Sequence, residues 1–107
     1  MEMPLIHICL GEEHIISASF SRQLMILKDD NDVFWQIDGK TKGSRTGEIH
    51  IWIRSELNGI YQLVFVRPDW QLVIDGNPLE PSFYENIALN NHMITLFYNQ
   101  YRFVFET

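Results

Sequence analysis

Residues 48–54 read Glu48-Ile49-His50-Ile51-Trp52-Ile53-Arg54. Three isoleucines fall on one parity, and Glu48, His50, Trp52 and Arg54 on the other. Successive side chains of a strand point to opposite faces, so this alternation predicts a half-buried β-strand. The same period of two runs outward in both directions. Tyr61 to Arg67 is apolar on both parities and is expected to be a central strand. Trp70 to Ile74, Met93 to Tyr98 and Tyr101 to Glu106 are rich in β-branched and aromatic residues, as strands are. Upstream lie Leu5 to Leu10, Ile15 to Phe20, Gln23 to Lys28 and Val33 to Ile37.

Turn chemistry separates these runs. Asn58-Gly59, Asp38-Gly39 and Asp75-Gly76 supply the positive-φ pair of a tight hairpin. Asp29 to Asp32 and Asn90-Asn91 are polar turn formers. Pro78 and Pro81 flank an irregular segment, and Pro81 to Asn90 has room for one helical turn. Strands spaced in this way predict an all-β, antiparallel β-sandwich of about nine to eleven strands. A mixed α+β domain with one short helix is the alternative.

The chain has 107 residues, which predicts a single domain spanning 1–107. Net charge is −6. That argues against nucleic acid and anionic membranes, which demand clustered Lys and Arg. Cys9 is the sole cysteine, so no internal disulfide forms and a reducing, cytoplasmic location is expected. No basic n-region opens the chain, and no run approaches the roughly 20 apolar residues of a membrane helix. Against the acidic whole, four of the eight cationic residues fall between Lys28 and Arg45.

Enzyme chemistry finds little support. His7, His14, His50 and His92 stand at no zinc spacing, so no metal or other cofactor is expected. His7 and Cys9 share a face of one predicted strand, the arrangement that activates a thiolate, but a strand interior is a poor place for an exposed nucleophile. Asp29, Asp30 and Asp32 lack the loop glycine and distal glutamate of a calcium loop. Gly39 to Gly47 lacks the Gly-Lys-Ser/Thr of a nucleotide loop. The protein is therefore expected not to be an enzyme. A second reading uses the row Glu48, His50, Trp52 and Arg54 as a face for a small ligand or carbohydrate, with Trp52 as the stacking platform.

Phe20 to Leu27, the Asp/Asn turn, Val33 to Gly39 and Ser44-Arg45-Thr46-Gly47 follow an order that resembles the forkhead-associated (FHA) domain. That family's pattern is a Ser-Arg-X-His step into a strand, an aromatic strand ending in an acidic residue, and a Ser/Thr-rich loop closing in Asn-Gly. Leu72 to Leu79, Asn91 to Leu96 and Tyr101 to Glu106 are similar to its final strands. The resemblance covers residues 20–47 and 71–106. It departs where Gly11 is followed by Glu12 instead of the phosphate-gripping arginine, where Leu24 replaces the histidine, and where Thr46 replaces the asparagine.

The resemblance implies a β-sandwich that binds a partner protein through its end loops. With that arginine missing, it points to binding that does not depend on phosphothreonine. A phosphate wants Arg or Lys with hydroxyl and N–H donors. Arg22, Lys40, Lys42 and Arg45 offer charge, and Ser21, Ser44 and Thr46 offer donors. The expected partner is another protein, phosphorylated or not. Self-association is also open, because the uncharged run Leu5 to Leu10 would be a docking strand if it lay at a sheet edge.

Overall fold

The computed structural model describes residues 4–30, 32–40, 47–56, 59–80, 82 and 84–106. Among the described residues eleven strands follow one another: β1 (Leu5–Leu10), β2 (Glu13–Ser19), β3 (Gln23–Asp29), β4 (Asp32–Ile37), β5 (Glu48–Ser55), β6 (Tyr61–Val66), β7 (Gln71–Ile74), β8 (Asn77–Pro78), β9 (Tyr84–Ala88), β10 (Ile94–Tyr98) and β11 (Tyr101–Glu106). They form two antiparallel sheets, ordered β2-β1-β11-β10-β7-β8 and β4-β3-β5-β6-β9. The all-β sandwich expected from the alternation is the fold observed. The stretch with room for a helical turn instead holds β9, which pairs with β6. Among the described residues no helix is long and apolar enough to cross a membrane.

The core is built from alternate residues of both sheets. Ile6 and Ile8 of β1 face Leu24 and Ile26 of β3 and Ile51 and Ile53 of β5, all fully buried. Trp70, in the link from β6 to β7, fills one region of this core. Its ring stacks on Tyr98 at 4.9 Å and tilts against Phe103 at 5.5 Å. Trp35 of β4 meets Phe103 of β11 edge to face at 6.3 Å, which ties one sheet to the other. Burying such rings contributes more than any other side chains here, because each removes a large apolar area from water.

Two turns adopt the geometry their sequences demand. Asp38 and Gly39 have φ of 51° and 81°, and Asp75 and Gly76 have 51° and 82°. Both pairs occupy the left-handed region that Asp tolerates and Gly favours. The second joins β7 to β8 directly, with Ile74 opposite Asn77.

Among the described residues, three interrupt the regular ladders. Ile8 pairs with Ile16 but Cys9 with His14, so Ile15 is extra. Ile26 pairs with Ile51 but Leu27 with Ile49, so His50 is extra. Trp52 pairs with Phe65 but Ile53 with Leu63, so Val64 is extra. Each is a β-bulge, which leaves a residue unpaired and re-aims side chains. The run Leu5 to Leu10 is not at an edge: β1 sits between β2 and β11. The open edges belong to β2, β8, β4 and β9.

The end of β4 pairs with the start of β3, as Ile37 faces Leu24, while the start of β5 pairs with its end, as Glu48 faces Lys28. Ile37 and Glu48 thus stand at opposite ends of β3. Gly47 lands tightly at the second of these ends. A Cβ on it would lie 2.8 Å from the Lys28 carbonyl oxygen and 2.9 Å from the Phe34 ring. Gly47→Ala is expected to cost about 1–3 kcal/mol, as overpacking does. Urea denaturation checks this, and an unchanged midpoint would show that the contact yields freely.

Candidate functional site

Ser21, Arg22, Asp38 and Lys40 meet at the end of the five-stranded sheet where β3 starts and β4 finishes. Ser21 and Arg22 lead into β3 while the chain turns at Asp38-Gly39. Asp38 points its carboxylate back across this gap. Its Oδ1 accepts the N–H groups of Arg22 at 2.6 Å and Gln23 at 3.1 Å, and both oxygens accept that of Ser21 at 3.1–3.2 Å. The Ser21 hydroxyl donates to Oδ2 at 3.2 Å. Three successive amides and a hydroxyl thus converge on one anion, the arrangement that holds phosphates and carboxylates alike. Burial raises the Asp38 pKa, but the donors from Ser21, Arg22 and Gln23 outweigh it and hold the carboxyl below its usual 3.8.

The donors that a phosphate would use are therefore engaged by a group of the chain itself. What remains outward is side-chain charge. Arg22 is exposed, and its guanidinium has no hydrogen-bond or ion-pair partner among the described residues. Lys40, also exposed, follows the turn and is held by a two-way backbone bridge to Ile37 at 2.9 and 3.1 Å. An open cavity of about 260 Å³ is lined by Arg22, Gln23, Asp38 and Gly39. Lys42, Ser44, Arg45 and Thr46, also candidates, lie outside the described residues.

The row Glu48, His50, Trp52 and Arg54 divides, and the cause is the bulge at His50. His50 turns inward and is buried, with 5% of its surface exposed. Its Nδ1 accepts the indole N–H of Trp70 at 3.1 Å. An indole nitrogen only donates, so the neutral ring carries its proton on Nε2, toward the Glu48 carboxylate at 3.8 Å. Asp69 lies 3.8 Å from Nδ1, and Arg67 pairs with Glu48 at 2.8 Å. Burial lowers the His50 pKa below 6.5; the charges of Asp69 and Glu48 oppose this, and those of Arg67 and Lys28 reinforce it.

Trp52 and Arg54 stay on the outer face. The Arg54 guanidinium lies over the indole at 5.3 Å, Phe65 meets it edge to face at 6.4 Å, and the indole N–H donates to Gln23 at 3.2 Å. The stacking platform of the carbohydrate reading already carries a guanidinium and has lost His50 from its row.

Cys9 is buried and lies 3.6 Å from the Arg102 guanidinium. The polar partners of His7 are instead Ser17 and Glu106, which come from β2 and β11. Sequence reasoning missed Asp38 as a ligand to the amides around Ser21. An Asp that closes an aromatic strand just before Gly was the available signal, and it reads there as turn chemistry and as part of a family pattern, not as a ligand to those amides. No family model, curated protein or solved structure matches the chain.

Proposed function

We propose that the chain is a non-catalytic protein-interaction module that holds an acidic segment of a partner protein at the Arg22–Lys40 end of its five-stranded sheet. The observation that carries this reading is the occupancy of the Ser21, Arg22 and Gln23 amides by Asp38. With those donors engaged, recognition falls to the outward cations, which attract carboxylates without requiring a phosphate. In a chain of net charge −6, such a local positive site orients an acidic partner and speeds its approach.

The test is fluorescence anisotropy with three peptides of one sequence, carrying glutamate, phosphothreonine or glutamine at the central position. The glutamate peptide should outbind the glutamine peptide, and binding should weaken with salt. The double variant Arg22→Ala, Lys40→Ala should reduce glutamate-peptide affinity about tenfold, within the range for losing exposed charge contacts. Unchanged binding in that variant would overturn the site. A phosphothreonine peptide bound over about a hundredfold more tightly than the glutamate peptide would overturn phosphate independence, since the extra charge alone is worth less.

A further inference from the structure

Away from that site, on the outer face of the six-stranded sheet, four side chains from three strands form one hydrogen-bonded chain. His7 of β1 stands opposite Ser17 of β2, and its Nδ1 lies 2.7 Å from the Ser17 hydroxyl oxygen. His14 reaches the same oxygen from the other side, Nε2 to Oγ 2.7 Å. On β11, the Glu106 carboxylate lies 3.3 Å from His7 Nε2. The three contacts leave one proton arrangement when both rings are neutral. Facing a carboxylate, His7 Nε2 carries the proton, so Nδ1 is bare and accepts the Ser17 O–H. The hydroxyl has then given away its one proton, so His14 donates its Nε2–H to Oγ.

Glu106, His7 and Ser17 thus stand as orienting carboxylate, base and nucleophile, each fixing the next. The hydroxyl is also approachable. Within β1, odd residues turn their peptide groups toward β11, as the bond from Gly11 N–H to the Gln100 carbonyl indicates. Even residues therefore serve β2, through Ile16 and Ala18. The peptide groups of Ser17 are left on the open edge of the sheet, where its N–H can meet a carbonyl oxygen of an incoming group.

We propose that Ser17 is an activated nucleophile that accepts an acyl group from aryl esters. The Ser17 oxygen attacks the ester carbonyl, and His7 Nδ1 takes the hydroxyl proton. The carbonyl carbon–aryloxy bond then breaks, and the departing aryloxide takes that proton from His7. The products are an ester on Ser17 and a free phenol. His14 Nε2–H holds Oγ in place, the Ser17 N–H meets the carbonyl oxygen as it gains charge, and Glu106 is a positioning residue that steadies the His7 tautomer. This inference does not rest on the peptide-binding reading, which concerns the other sheet.

The experiment exposes the full chain to p-nitrophenyl acetate and locates the acetyl group by peptide mass mapping. Ser17 should acquire one acetyl group about a hundredfold faster in the folded chain than in urea, the lower range for general-base assistance. Ser17→Ala should remove that label, and His7→Gln should bring its rate close to that in urea, with circular dichroism checking the fold. Glu106→Asp should retain more of the rate than Glu106→Gln, a graded rescue that a merely structural role would not give. Acetyl groups found only on lysines would overturn the proposal. So would a Ser17 rate equal in folded and denatured chain, or an undiminished rate in folded His7→Gln.

Discussion

Trp70→Ala is expected to lower stability by about 3–5 kcal/mol, the range for deleting a buried aromatic ring. Trp70 is 1% exposed and packs between His50, Tyr98 and Phe103. Alanine would leave a cavity that two sheets, tied by their ladders, can only partly close. It would also take away the N–H that satisfies His50 Nδ1. A domain of this size has about 5–15 kcal/mol in all, so the variant should be near the limit of folding at 37 °C. Trp70→Phe separates the two losses, since it keeps most of the ring volume but not the donor. Urea denaturation should find it between wild type and alanine. A Phe variant as stable as wild type would assign the whole effect to packing.

The burial of His50 makes the interior sensitive to mild acid, and the Trp70 contact works in the same direction. His50 accepts from Trp70, so protonating Nδ1 would set two donors against each other. With the folded pKa below 6.5, this group contributes fully above about pH 6.5, and its contribution is lost as pH falls through the lower folded value. In Trp70→Phe the donor conflict is gone while burial remains, so part of that acid loss should persist.

The alternation at residues 48–54 was enough to read a strand, and its recurrence at short, turn-bounded spacings along the chain a sandwich. It could not reveal that His50 is an extra residue. A bulge depends on the register with β3, set by residues more than 20 positions away, and it sent a polar-parity side chain into the interior. The turns at Asp38 and Asp75 were legible because positive φ restricts residue type locally. The separation of Ile37 from Glu48 was not, since it depends on β4 and β5 both running opposite to β3. The Ser17 chain was hidden for the same reason. His7 and Glu106 are neighbours only because the last strand lies against the first. Local chemistry travels with the sequence, whereas neighbours across strands exist only after folding.

Asp38→Ala is the second large effect, expected at about 2–4 kcal/mol. Hydrogen bonds to a charged acceptor are worth about 1.5–3 kcal/mol when one partner is removed. Here three amides and a hydroxyl lose the same acceptor. Alanine must also adopt the φ of 51°, for about 1–2 kcal/mol more, partly offset by water reaching the exposed donors. Asp38→Asn tolerates that φ and keeps an oxygen, so it isolates the charge and should cost less. The two variants also differ from wild type in acid. Because the folded pKa of Asp38 lies below 3.8, its contribution is complete above about pH 4 and disappears as pH falls through the folded value. Asp75 titrates in the same direction, held low first by His92 and then by the Met93 amide, so the parent protein loses stability there from both groups. Subtracting the Asp38→Asn profile from that of the parent removes the Asp75 part. The remaining difference should be flat from pH 7 to about 4 and should shrink below it. A difference that stays constant down to pH 2 would mean that the carboxylate charge contributes nothing. The donors around Ser21 would then be held by shape alone, and the case for their being closed to an outside phosphate would fall with it.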